Sequence, residues 1–247
     1  MRISGIKVTY RSRVTPSGRR ASRHLASMRN RHLGARCVVV GNGPSLNETP
    51  LNLLEGEFVF GLNRLYMMFG KLGFESTYHV VVNKHVVEQC ADDFNALRVP
   101  LFTTRSNHPT IDDGPQRYFL EDLTGPQFSR DASHGIWQGS TVTYVAMQLA
   151  YFMGFSKVIL IGVDHNFTTK GTPHQLVESR GTDSNHFDPN YFGKGFRWQL
   201  PDLETSEVAY QLAREAFERD GREIVDATVG GKLTVFRKGD LETELHG

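Results

Sequence analysis

Short, wholly apolar, β-branched runs recur along the chain, and each breaks into a turn-forming or polar residue. Cys37-Val38-Val39-Val40 opens the series and runs into Gly41-Asn42-Gly43-Pro44-Ser45. A run that is apolar at every position belongs to a strand buried on both faces, as in a parallel sheet, and the Gly/Pro cluster marks the tight turn after it. Phe58-Val59-Phe60 ending at Asn63, Val80-Val81-Val82 ending at Asn83, Leu101-Phe102-Thr103, Val158-Ile159-Leu160-Ile161 ending at Asp164, and Ile224-Val225 ending at Asp226 repeat the pattern. Between them the period changes. Positions 141–153 carry Val142, Val145, Ala146, Leu149, Ala150 and Met153 on one face, with much of the other face also apolar. That predicts a largely buried helix, opened by Gly139-Ser140 and closed by Gly154. Positions 206–219 turn Val208, Ala209, Leu212, Ala213, Ala216 and Phe217 inward, with Glu215 and Arg219 paired outside and Gly221 ending the helix. Strands alternating with such helices predict an α/β, Rossmann-like doubly wound fold with a mainly parallel sheet. The stretch 166–201, rich in Gly, Pro, Asn and His, is the one long irregular segment and is expected to be a lid or binding loop.

Composition adds exclusions. The 247 residues are 39% hydrophobic and 22% charged, the balance of a globular protein able to bury a core. No run approaches the roughly 18 to 20 apolar residues of a transmembrane helix, and the N-terminus lacks the apolar stretch of a secretory signal. Cys37 and Cys90 are the only cysteines, too few for a disulfide framework or a cysteine zinc site, so a reducing cytoplasm is the expected compartment. The net charge of +1 is unevenly spread: residues 1–36 hold ten Arg or Lys and no acid, leaving the remainder at −9. The expected organisation is a basic arm, 1–35, and one nucleotide-binding catalytic domain, 36–247. Such an arm reads as a solvated leader, as a peripheral contact with an anionic membrane, or as resembling an organellar transit peptide. Nothing suggests nucleic-acid readout, and association into a homo-oligomer stays open.

In an open parallel sheet, ligands bind beyond the carboxyl ends of the strands, so the residues there are the ones to inspect. Gly41-Asn42-Gly43-Pro44-Ser45-Leu46 puts Leu where a dinucleotide fingerprint has its third Gly, and the second strand ends in Asn63 where an NAD site needs an acid. No Gly-Lys-Ser/Thr occurs, which excludes a P-loop. What remains is a Gly-rich turn expected to lead into a helix whose N-terminus holds a phosphate, or else a turn that is glycine for structural reasons. Asn42, Asn63 and Asn83 offer donor and acceptor together, which suits a nucleotide edge or a sugar hydroxyl without adding negative charge. Each also serves well as a simple turn-former.

Val39-Val40-Gly41-Asn42-Gly43-Pro44-Ser45-Leu46, Asn63, Asn83, Gly139-Ser140 and Gly154-Phe155-Ser156-Lys157-Val158-Ile159-Leu160-Ile161-Gly162-Val163-Asp164 resemble, in order and spacing, the bacterial sialyltransferases of glycosyltransferase family 42. They also resemble a broad related family that includes archaeal 6-hydroxymethylpterin diphosphokinase. The match runs from about 36 to 226; its first and last motifs are specific, the single Asn positions are not. The resemblance implies that Asn42, Gly43, Ser45, Asn63, Asn83 and Ser140 hold the nucleotide and donor; Gly41, Thr141 and Asp164, at the same strand ends and helix start, are expected to bind there too. It also implies that His186, in Ser184-Asn185-His186-Phe187, is the general base. Where the sialyltransferases place a Tyr hydroxyl near the leaving phosphate, this chain has His165 and Asn166, with Tyr191 as a substitute in the lid. Asp183 and Asp188 flank His186, a cluster the sialyltransferase pattern does not require and one suited to Mg²⁺.

The chemistry also assembles from residue types. Transfer from a CMP-sugar needs a base on the acceptor hydroxyl, an anion site, and donors to the departing phosphate. His186 supplies an imidazole for the base, and Ser140 with the N–H groups of Thr141 and Val142 offers the anion site. CMP is a good leaving group, so no cofactor or metal is expected, and the chain lacks an Asp-x-Asp pair. The leading expectation is therefore an inverting, sialyltransferase-like glycosyltransferase. It would move sialic acid or another nonulosonate such as Kdo from a CMP-activated donor to a glycan or lipid-linked glycan acceptor in surface polysaccharide biosynthesis, at the inner membrane face. The alternatives are a Mg²⁺-dependent diphosphokinase with Asp164, Asp183 and Asp188 as ligands, and a non-catalytic nucleotide-binding protein. His174, His108 and His134 read as loop residues.

Overall fold

The run beginning at Cys37 forms the central strand of the sheet. In this computed structural model, which describes residues 16–166 and 171–246 with side chains from 21 onward, β1 (Arg36–Val40) lies between β2 (Val59–Leu62) and β6 (Lys157–Ile161). It pairs in parallel with both, Val38 opposite Val59 and Ile159. Successive side chains point to opposite faces of a strand. Val38 and Val40 join one apolar cluster with Ile159 and Ile161, while Cys37 and Val39 join a second with Val158 and Leu160. Both faces are dry, which is why every position in these runs is apolar.

Among the described residues eight strands make the sheet, in the order β10-β9-β6-β1-β2-β3-β4-β5, and every pairing between them is parallel. β3 (Tyr78–Val80), β4 (Leu101–Thr104) and β5 (Arg117–Leu120) carry the chain to one edge. The helix Val142–Phe152 then brings it back across β1 to β6, followed by β9 (Glu223–Asp226) and β10 (Arg237–Lys238). The strand order reverses between β1 and β6, so their carboxyl ends flank a crevice at the topological switch point. The returning helix is buried along nearly its whole length, as expected, and Leu203–Arg219 packs beside it. That second helix starts before the predicted position because Asp202 caps it, accepting from the Thr205 N–H at 3.0 Å. At the end of β9, Asp226 is buried and neutralised by Lys238 Nζ at 2.6 Å, away from the crevice.

Two expectations need correction. The 166–201 segment is not irregular throughout: β7 (Leu176–Glu178) and β8 (Arg197–Gln199) pair antiparallel. Phe187, Tyr191, Phe192 and Trp198 are buried in the same cluster as Val38, so this part of the lid belongs to the core. Nor does the boundary at 35 separate a solvated arm from the domain. Leu25 and Met28 are 2% and 1% exposed within the other core cluster, and His24 stacks on Tyr118. Arg29 is ion-paired with Asp131, and His32 Nε2 lies 2.6 Å from the Tyr78 hydroxyl. The first part of the basic arm, residues 1–15, lies outside the described residues. No helix among the described residues is long and apolar enough to cross a membrane.

Candidate active site

The two glycines after β1 are there for close approach. A Cβ on Gly41 would stand 2.2 Å from the Gly162 carbonyl oxygen, and one on Gly43 would stand 1.7 Å from Asp164 Oδ2, so only glycine lets the β1 and β6 loops meet. Their N–H groups bond the Ile161 and Gly162 carbonyls at 2.8 and 2.9 Å. Asp164 in turn accepts from Ser45 Oγ at 2.7 Å and the Ser45 N–H at 3.2 Å. This corrects the expected phosphate cradle. The turn leads into only a single 3₁₀ turn, Pro44–Asn47, too short to build a dipole, and the Ser45 N–H is already engaged.

A cavity of about 590 Å³ opens at the crevice. Of the residues singled out from sequence it brings together Gly41, Asn42, Gly43, Asn63, Asn83, Ser140, Thr141, Asp164, His165 and His186 in its wall, and leaves out Ser45 and Tyr191. The three carboxamides differ in what they have left to offer. Asn83 Oδ1 caps the helix Lys84–Gln89, accepting from the His85 N–H at 2.9 Å, so the turn-former reading holds for its oxygen. Asn42 Oδ1 and Asn63 Oδ1 are buried with no hydrogen-bond partner among the described residues. Buried carbonyl oxygens lacking a partner carry a desolvation cost that a bound donor group removes. Asn63 and Ser140 both hold left-handed backbone, φ +46° and +58°, the latter just after Gly139 at +57°. Thr141 caps the buried helix through Oγ1, and its own N–H bonds the Gln138 carbonyl at 3.1 Å, so of the expected anion-holding N–H pair Val142 remains.

Behind Asn63 lies His79, fully buried, its Nε2–H donating to the Asn63 carbonyl at 2.6 Å. Burial lowers its pKa to about 4, against the partial opposition of that bond. Unfolding returns it to the ordinary value near 6.5, so between pH 4 and 6.5 the unfolded chain binds more protons and stability rises with pH. Stability is therefore expected to fall by about 3 kcal/mol from pH 7 to pH 4 on account of His79, with His32, lowered by burial and by Arg31, adding in the same direction. Urea denaturation across this range checks it: His79→Gln should flatten the slope, and an unchanged slope refutes the assignment.

His186 lies where the lid meets β1. Its Nδ1–H donates to Asp183 Oδ2 at 2.8 Å, and its ring lies flat on Tyr191, centroids 3.9 Å apart. Burial pushes the Asp183 carboxyl up, but the bond and charge of His186 and the N–H groups of Asn185 and Phe192 outweigh it and hold it below the usual range. With Nδ1 held by a carboxylate the ring is fixed in orientation, which is the geometry a general base requires. The Phe187 N–H bonds the Asn42 carbonyl at 2.9 Å and Asn47 Nδ2 bonds the Phe187 carbonyl at 2.8 Å, fastening this stretch to the β1 loop. Tyr191 is fully buried beneath the ring, and its hydroxyl accepts from the Arg64 N–H at 3.3 Å. It supports His186 rather than offering a hydroxyl to a leaving group.

Two more imidazoles line the cavity, each on a carboxylate: His165 Nε2 with Glu207 Oε1 at 2.9 Å, and His174 Nε2 with Asp202 Oδ2 at 3.1 Å. His174, set aside from sequence as a loop residue, comes to the cavity wall, and Glu207, not singled out at all, comes to His165, through folding that leaves no local signal. His108 and His134 pair with Asp113 and Asp131 outside it. Among the described residues no group of three or more His, Cys, Asp or Glu is arranged to hold a metal ion.

The family profile described as "6-hydroxymethylpterin diphosphokinase MptE-like" matches residues 16–170. Among solved structures the fold is similar to that of the Maf glycosyltransferase from Magnetospirillum magneticum AMB-1, with TM-score 0.54 and 14% identity. That match covers 91% of this chain and 38% of the other, so the chain spans well under half of that protein. The sialyltransferase CstII from Campylobacter jejuni, solved with cytidine 5′-monophosphate, gives TM-score 0.44 at 12% identity over 83% of this chain and 85% of its own. A mammalian sialyltransferase gives 0.39 at 11% over 94% and 87%. No curated protein matches the chain.

Proposed function

The chain belongs to the 6-hydroxymethylpterin diphosphokinase MptE-like family, and on that premise we propose that its crevice joins an acceptor hydroxyl to a nucleotide-activated donor. The reading favoured is glycosyl transfer: an acidic sugar, sialic acid or another nonulosonate, passes from a CMP-activated donor to a glycan acceptor with inversion. The observation that carries it is the pair of buried, unpartnered oxygens, Asn42 Oδ1 and Asn63 Oδ1, at the ends of neighbouring strands in the cavity wall. They fit the amino and hydroxyl donors of a nucleoside and add no charge beside its phosphate. His186, oriented by Asp183, stands as the base for the acceptor.

The family match itself favours a second reading, diphosphate transfer from ATP with Mg²⁺, which needs free carboxylates. Asp164 is bonded to Ser45, Asp183 to His186, and Asp188 to the Asn190 N–H. With these groups so engaged, the glycosyl reading stands first.

A thermal-shift panel of CMP, CDP, UDP, GDP and ATP, each with Mg²⁺ or EDTA, separates them. CMP or CDP is expected to stabilise the protein in EDTA by roughly 2 to 3 kcal/mol near 100 times Kd, since a ligand that binds only the native state contributes RT ln(1 + [L]/Kd). A shift confined to ATP with Mg²⁺ overturns the glycosyl reading in favour of the diphosphokinase. Binding of CMP without turnover of any CMP-activated acidic sugar makes the protein a non-catalytic nucleotide binder.

A further inference from the structure

β3 places an imidazole where a strand buried on both faces calls for an apolar side chain. His79 is fully buried, and the rings of Tyr66, Phe69 and Phe94 stand around it, each centroid 6.1 Å away. Burying a polar ring is costly unless it is hydrogen-bonded, and both nitrogens are. Nε2–H donates to the Asn63 carbonyl at 2.6 Å, so Nδ1 carries no proton and accepts from the Ser76 hydroxyl at 3.3 Å. β2 makes room for the pair: a Cβ on Gly61 would stand 2.9 Å from Ser76 Oγ and 3.0 Å from His79 Nδ1. The residue that receives the bond is strained. Asn63 holds left-handed backbone, φ +46°, which a residue other than glycine keeps only at a cost. Two peptide groups set that conformation, and both are pinned. The one before Asn63 donates its N–H to the Val80 carbonyl at 2.9 Å. The one after it gives its carbonyl to His79 and its N–H, that of Arg64, to the Tyr191 hydroxyl at 3.3 Å. The side chain between them, in the cavity wall, keeps a buried Oδ1 without a hydrogen-bond partner among the described residues.

We propose that His79 is a positioning residue for the donor site: its bond to the Asn63 carbonyl holds the left-handed turn that presents the Asn63 carboxamide to the cavity. The inference rests on the nucleotide-donor reading above. A turn with no other task would be served by glycine at position 63 and an apolar residue at 79, with neither strain nor a buried ring. Swinging the peptide after Asn63 out of place would leave the Nε2–H of His79 buried and unpaired, so the imidazole penalises every other conformation of the turn. Burial keeps the ring neutral at pH 7, with its pKa lowered to about 4, so the form with a proton on Nε2 alone is the one present. His79 lies behind the cavity wall and reaches a ligand only through Asn63.

Calorimetry of the full chain with CMP at neutral pH tests this. His79→Leu, close in volume but without a donor, is expected to weaken CMP by about tenfold, the worth of one hydrogen bond no longer aligned. His79→Gln sets an N–H near the position of Nε2 and should keep CMP within about threefold of wild type. Asn63→Gly keeps the left-handed backbone and removes the carboxamide, so it should cost CMP about as much as His79→Leu does. The two changes together should cost no more than Asn63→Gly alone, whereas a general loosening of the fold would add the losses. If His79→Leu does not fold, Ser76→Ala takes its place: it removes only the bond to Nδ1 and should weaken CMP by about threefold in the wild type and not at all on Asn63→Gly. Unchanged CMP affinity in whichever of these variants folds, equal losses in His79→Leu and His79→Gln, or additive losses on Asn63→Gly overturn the inference and leave the donor reading standing. A wild type that binds no CMP overturns the donor reading, and the His79 assignment with it.

Discussion

His186→Ala is expected to lower kcat for transfer from a CMP-activated acidic sugar by about 10²- to 10⁴-fold while CMP affinity stays near wild type. Under the proposed reading the residue acts on the acceptor proton, which moves only in the transition state. Its geometry suits that role: Asp183 at 2.8 Å holds Nδ1 and Tyr191 supports the ring face, which fixes the ring in orientation. Asn42→Ala is the contrasting substitution. It removes a buried acceptor that would bond the nucleoside in ground and transition state alike, so donor affinity should fall by about 1 to 3 kcal/mol with kcat changed less. The Asn42 carbonyl that receives the Phe187 N–H belongs to the backbone and survives the change. Steady-state kinetics with CMP calorimetry reads both variants. Near-wild-type kcat in His186→Ala places the base elsewhere, and if Asn42→Ala is silent too, the crevice is not the donor site.

The strand-end residues were legible because parallel strands all finish at one edge. Once Cys37–Val40 and Val158–Ile161 are recognised as runs buried on both faces, Asn42, Asn63, Asn83 and Asp164 must share a rim. What each does on that rim was not legible. Asp164 is engaged by Ser45 across 119 positions and His165 by Glu207 across 42, contacts with no trace in local pattern. Asn83 is a helix cap because the chain turns directly into Lys84–Gln89, and neither hydrophobic period nor propensity distinguishes that from a ligand contact. β5, at the sheet edge, escaped notice because Arg117–Leu120 is a four-residue segment with a charged first position, and β10 is only two residues long. The lid was misjudged for a related reason. Its Gly, Pro and Asn content describes the backbone between anchors, whereas Phe187, Tyr191, Phe192 and Trp198 are anchors whose partners lie on distant strands and loops.

Leu25→Ala is expected to destabilise the fold by about 2 to 5 kcal/mol, the range for truncating a buried leucine and leaving a cavity. Composition alone would treat the change as trivial, since Leu25 sits within a run of ten basic and no acidic residues that reads as a solvated or membrane-seeking arm. The structure instead puts Leu25 at 2% exposure in the cluster that holds Phe102, Tyr118 and the buried helix, with Met28 at 1% beside it. Leu33→Ala is the internal control. That side chain is 72% exposed in the same basic segment, and its loss should change stability by no more than about 0.5 kcal/mol. Equilibrium urea unfolding measures both, and equal small effects would show that the segment is not part of the cooperative unit. A large effect at Leu25 alone has a consequence for membrane binding. Removing residues 1–35 as a block would then unfold the domain, so any anionic-surface role of the arm must be tested by neutralising exposed charges such as Arg23 and Arg31. Loss of salt-sensitive vesicle binding in those variants, with the urea midpoint unchanged, would support that role, and full retention would remove it.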